Sequence, residues 1–224
     1  VLPKNNISVI SDLKVVFPMP LSENLDKDLK VFAKRCGVKH YTGKRNANSG
    51  KALQDIAVGK KSEFFIERGV RDEYKFPYVK VDVEIRYGAG KLWVPDLGYN
   101  EIDKNFPNMH CKACTHSTYS YCNDYSWTFQ YSDNDGNGGK DDIFNEFNMD
   151  LVALAYLENL ESRIVTIKAI APWHVLKKYL KPPQKESLRN LKKCLYYRDL
   201  FDNKEEIESW SGKMIGVDNE ICVG

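Results

Sequence analysis

Asp96 and Lys112 are the residues of this chain whose types and setting suggest chemistry on a phosphate. Asp96 stands in Trp93-Val94-Pro95-Asp96-Leu97, and Lys112 closes His110-Cys111-Lys112 on the next apolar run. Paired strands bring side chains that are far apart in sequence onto one face. On such a face an aspartate holds a divalent cation through its oxygens. A lysine beside it steadies an anionic nucleophile or a crowded phosphate.

The elements that must position them are legible in the hydrophobic pattern. Val79, Val81, Val83 and Ile85 alternate with Lys80, Asp82, Glu84 and Arg86, which predicts a half-buried strand. Gly88-Ala89-Gly90 is turn chemistry, and residues 91–97 return as a second strand with Leu92, Val94 and Asp96 in phase. A polar link leads to a third strand over 109–115. Upstream, 26–36 has helical spacing with Gly37 as its stop, and 51–69 reads as a helix or a helix pair interrupted at Gly59.

Downstream, 126–131 is short and aromatic, a strand or a buried helical turn. The continuous apolar runs at 151–157 and 163–170 predict strands buried on both faces. Pro172, Pro182 and Pro183 punctuate the end of the sheet, and 187–200 reads as a helix with Leu188, Leu191, Leu195 and Leu200 inward. The expected architecture is α/β. A central mixed sheet, made of an antiparallel three-strand meander plus further buried strands, is flanked by helices. One domain covers 1–224, with a core near 50–170, an N-terminal helical region 1–50 and a C-terminal helical region 171–224.

Length allows one full core, and the composition is that of an ordinary globular chain. No apolar run reaches membrane-spanning length, so a cytoplasmic protein without a membrane partner is expected. A net charge of +2 does not announce a nucleic-acid binder. Basic residues do cluster over 27–51 and 177–193, where Lys177, Lys178 and Lys181 stand. Such runs track phosphates or simply form solvated faces.

Three other groups have a metal-binding look. Cys111, Cys114 and Cys122, with His110 and His116, resemble a zinc cluster, yet strand alternation sends Cys111 and Cys114 to opposite faces. All six cysteines read mostly as free thiols. Asp133, Asp135, Asn137 and Gly138 resemble the first half of a calcium loop, but Phe144 stands where the bidentate glutamate belongs. Trp173-His174 after Pro172 has the makings of a site wall or a structural strand end.

A helix bearing a glutamate, then a meander bearing Pro-Asp and a basic third-strand residue, resembles the PD-(D/E)xK, or restriction-endonuclease-like, nuclease superfamily. The resemblance covers about residues 50–170. It implies hydrolysis of DNA phosphodiester bonds with Mg2+ or Mn2+, as in a type II restriction enzyme or a phage-encoded relative. Asp96 matches the metal-binding aspartate, Lys112 the lysine, and Glu63 the helix glutamate. Gln130 loosely matches a polar residue that follows the motif. His110 departs from the acidic residue of the pattern. The second carboxylate then comes from elsewhere, with Glu84 or Glu101 nearest in sequence, or His110 acts on a water, or the site only binds. Double-stranded DNA as partner and a homodimer matched to a palindrome are further implications. The rivals are a non-catalytic nucleic-acid binder on the same scaffold and a calcium- or zinc-stabilised interaction module.

Overall fold

The structure is a computed structural model that describes residues 8–17, 21–40, 50–73, 79–83, 96–99, 108–131, 142–145 and 151–210. Glu84, Glu101, the turn expected at Gly88–Gly90, residues 91–95 of the expected second strand and the expected calcium-type loop at 133–141 lie outside them. The fold is α/β around a mixed six-stranded sheet flanked by helices.

The sheet consists of β1 (Val9–Val16), β2 (Val79–Val81), β3 (Leu97–Tyr99), β4 (Met109–Thr115), β6 (Leu151–Leu157) and β7 (Ile164–Pro172), in the spatial order β1-β7-β6-β4-β3-β2. β2, β3 and β4 are joined antiparallel, β4 and β6 are parallel, and β6, β7 and β1 are antiparallel again. A separate two-stranded ribbon pairs β5 (Ser126–Gln130) with β8 (Lys192–Tyr196).

Two cores explain why β6 and β7 are apolar without alternation. Leu151, Ala153, Ala155 and Leu157 enter one core beneath α2 (Gly50–Glu73), with Phe65, Ile66 and Val70 of the helix. Val152 and Leu154 enter the opposite core, with Trp127, Phe129 and Trp173. Covered on both sides, these strands gain from apolar residues at every position. The helix α1 (Leu21–His40) packs on α2 through Leu29 and Ala33. At Gly69, α2 comes so near the sheet that a Cβ would lie 2.8 Å from Ile167 Cδ1 and 3.0 Å from Val15 Cγ2. The missing side chain fixes how closely the helix sits on β7 and β1.

Several expectations change at this level. The helix α2 is continuous through Gly59, because one glycine costs only about 1 kcal/mol and the packed residues on either side exceed it. α1 likewise continues past Gly37 to His40. The first fifty residues are not helical throughout, since β1 enters the sheet beside β7. Nor is the stretch from 171 onward. Residues 187–200 hold β8 followed by α5 (Tyr197–Asp202) instead of one helix. Cys194, Leu195 and Tyr196 are buried consecutively, which a strand between two packed surfaces allows and an amphipathic surface helix does not.

Both outer strands have an amide held by a helix carboxylate. Val81 N–H donates to Glu67 Oε2 (3.2 Å) on α2, and Ile10 N–H to Glu208 Oε1 (3.0 Å) on α6 (Lys204–Ser209). Elsewhere, β7 carries a bulge at Lys168, whose ammonium meets Asp12 (2.5 Å) and lies over the rings of Tyr125 and Tyr197. Among the described residues no helix is long and apolar enough to cross a membrane.

Candidate functional site

The register of three strands builds one row of polar residues. Val81 pairs with Leu97 and Leu97 with Met109, so Asp82, Asp96 and His110 come next to one another one step along. The bond from Asp82 N–H to Asp96 O (3.0 Å) continues the ladder at that level. Asp96 is fixed there by two donors on its Oδ2: Nδ1 of His110 at 2.8 Å and the Cys111 amide at 2.7 Å.

The helix α2 reaches the same place. Lys60 and Glu63, one turn apart, are joined at 2.5 Å, and the Lys60 ammonium also donates to the Asp82 carbonyl at 2.7 Å. Ala57, Phe65 and Ile66 anchor the helix in the core around these two residues, so Glu63 is itself buried.

The charges form one coupled group. Burial pushes the Glu63 carboxyl well above the ordinary range, and the neighbouring Asp96 carboxylate adds to it against the pull of Lys60. For Asp96, burial acts upward but is outweighed by the His110 imidazole, the Cys111 amide and Lys60, which together bring it to about 2. Lys60 resists the lowering effect of burial because Glu63, Asp96 and Asp82 hold its proton, and it ends above its usual value. Burial, then Asp96 and Glu63, push the Cys111 thiol well up, which makes it a poor nucleophile.

Because Asp96 is ionised, His110 Nδ1 is the donor on the 2.8 Å bond. The other ring nitrogen, Nε2, is buried and has no hydrogen-bond partner among the described residues.

The geometry brings Glu63, Asp96 and His110 together as the order of elements implied. The Lys112 ammonium lies over the Phe129 ring, 5.3 Å from the centroid. Among the described residues the ammonium bonded within the acid cluster is that of Lys60. Its only trace in the sequence is the i,i+3 spacing to Glu63, which says nothing about a strand end arriving beside it. Glu84 lies outside the described residues.

No group of three His, Cys, Asp or Glu side chains that could hold a metal ion is present among the described residues. Two carboxylates and the Asp82 carbonyl nevertheless offer a hard, oxygen-only set around one bound cation, the Lys60 ammonium. Mg2+ is commonly held by one or two carboxylates with water and phosphate completing its shell, so this set fits such an ion.

The remaining predicted positions disperse. Gln130 ends β5 opposite Lys192, and Lys193 lies over Tyr131 beside it. Lys177 and Lys178 are in an exposed turn after β7, with Lys178 near Glu206 (3.5 Å) and over Trp210. Lys181 bonds Asp199 at 2.6 Å in a cleft of about 390 Å³ that also holds Asp124 and Arg198. That cleft carries both signs of charge. Cys111 and Cys114 enter opposite cores as alternation predicts, and they and Cys122 are free thiols. No family model, no curated protein and no solved structure matches this chain.

Proposed function

We propose that the chain is a metal-dependent nuclease that hydrolyses DNA phosphodiester bonds at the Glu63–Asp96 cluster. The observation that carries this reading is the meeting of a buried helix glutamate with the aspartate before β3, at the mouth of β4. The order of parts supports it: helix α2, three antiparallel strands, then β6 parallel to β4.

Glu63, Asp96 and the Asp82 carbonyl are the groups to hold Mg2+ or Mn2+. Such an ion lowers the pKa of a bound water and offsets charge on the phosphate. The protein's own part is positional. Asp96 fixes the His110 ring through Nδ1, which leaves Nε2 as the ring nitrogen for proton exchange. Lys60 is the ammonium bonded to the Glu63 carboxylate. Gln130, Lys192 and Lys193 form the part of the β5–β8 ribbon suited to DNA backbone contact.

Supercoiled plasmid incubated with Mg2+ or Mn2+ tests the proposal. Cleavage is expected, with Asp96→Ala and Glu63→Gln each reducing its rate by about a hundredfold or more. Cleavage that survives Asp96→Ala rejects the site.

A non-catalytic DNA binder is the second reading, favoured by the double engagement of Asp96 Oδ2 and by the placement of Lys112 over Phe129. Retention of plasmid on the protein with no cleavage in either metal decides for it.

A further inference from the structure

The Lys60 ammonium sits in a nest of oxygens that a metal ion would also choose. It bonds Glu63 Oε2 at 2.5 Å and the Asp82 carbonyl at 2.7 Å, within reach of the Asp96 charge. A divalent ion on these oxygens would stand close to the ammonium's own charge. At such separations in a buried setting their repulsion exceeds the attraction either draws from one carboxylate. In that same position the ammonium lies 5.5 Å from the Phe32 ring of α1. Its four-carbon stem is flexible, so it can leave these oxygens without a change of backbone.

We propose that Lys60 is a tethered competitor of the divalent ion, its ammonium and the metal occupying the Glu63–Asp82 oxygens in turn. This rests on the reading of Glu63 and Asp96 as metal ligands. The ammonium holds the acidic cluster together when no ion is bound. It gives up those oxygens when one arrives. Metal binding by the protein alone is therefore weak, because each ion must first displace an internal cation.

Mn2+ binding to the full chain, followed by electron paramagnetic resonance of the free ion, tests this without reference to cleavage. Lys60→Met is expected to bind Mn2+ at least about tenfold more tightly than the parent chain. Lys60→Arg, which keeps the charge, is expected to stay as weak as the parent, and adding Asp96→Ala to Lys60→Met is expected to abolish the gain. Lys60→Gln serves in the same comparison should Lys60→Met not fold by circular dichroism. Equal or weaker Mn2+ affinity in the uncharged variants overturns the proposal, and parent chain that still cleaves plasmid leaves the nuclease reading standing. Absence of any Asp96-dependent Mn2+ binding in every variant overturns both.

Discussion

Lys60 and Lys61 are consecutive on α2, and their surroundings differ in one respect that matters. A helix turns about 100° per residue, so the two side chains leave in different directions. Lys61, fully buried, bonds Asp26 of α1 at 2.5 Å and the Leu160 carbonyl in the turn between β6 and β7. That is one cation for one acid, with a carbonyl to complete its hydrogen bonds. Lys60 meets Glu63 and feels Asp96 and Asp82 as well. A neutral, satisfied pair is how a fold ties three elements together. Several acids beside one ammonium serve no such purpose. Burial, and then the Asp96 charge, raises the Glu63 pKa, an arrangement tolerated where a site needs negative charge.

The contrast can be broken most directly by substituting each lysine with methionine and unfolding the variants in urea. Lys61→Met leaves Asp26 and the Leu160 carbonyl without their donor and is expected to cost about 3–5 kcal/mol. Lys60→Met is expected to cost only about 1 kcal/mol, because the Glu63 carboxyl, already pushed upward, takes up a proton in place of the lost ammonium. Equal losses would mean that both lysines are structural.

Acid sharpens the comparison at the strand side of the cluster. The folded pKa of Asp96 lies below its ordinary value, so its contribution is complete above about pH 4 and disappears as pH falls toward 2. That contribution is about 2 kcal/mol, from a shift of nearly two units. Urea midpoints of Asp96→Asn should therefore fall less steeply between pH 4 and pH 2 than those of the parent. Parallel curves would show that the His110 and Cys111 bonds do not hold the carboxylate in its ionised form.

The smallest expected effect concerns thiols. Cys111 is kept protonated by burial and by the acids beside it, and burial carries Cys114 to about 12. Both should react with a disulfide reagent at pH 8 more slowly than Cys122, which is only half-buried. Mass spectrometry of partly labelled protein reads this order. Early labelling of Cys111 would place it in an open, and not a buried, cluster.

Much of the fold was legible because period and burial agree there. β4 spans the residues predicted, and the two continuous apolar runs are the doubly covered strands β6 and β7. Glu63, Asp96 and His110 were legible as a set through the order of helix and strands. Lys60 was not, because a helical i,i+3 pair looks the same on a solvated face as against a strand end. The ring contact of Lys112 was not legible either. Alternation along β4 tells which residues share a face, but not that Phe129, arriving from the ribbon, offers its ring to that ammonium. The helix expected at 187–200 rested on leucines at helical spacing. Pairing of Thr128 with Cys194 and Trp127 with Leu195 claims the middle of that segment for the ribbon instead.

The carboxylates of Glu67 and Glu208 on the outer amides bear on how copies of this chain meet. An exposed strand rim normally invites a second rim, and continuous growth in that manner ends in fibrils. Here the rims at Val81 and Ile10 present acid where a neighbouring strand needs a free amide, so a second copy would bring its own acid against the first. Self-association by sheet extension is thereby disfavoured at these two amides.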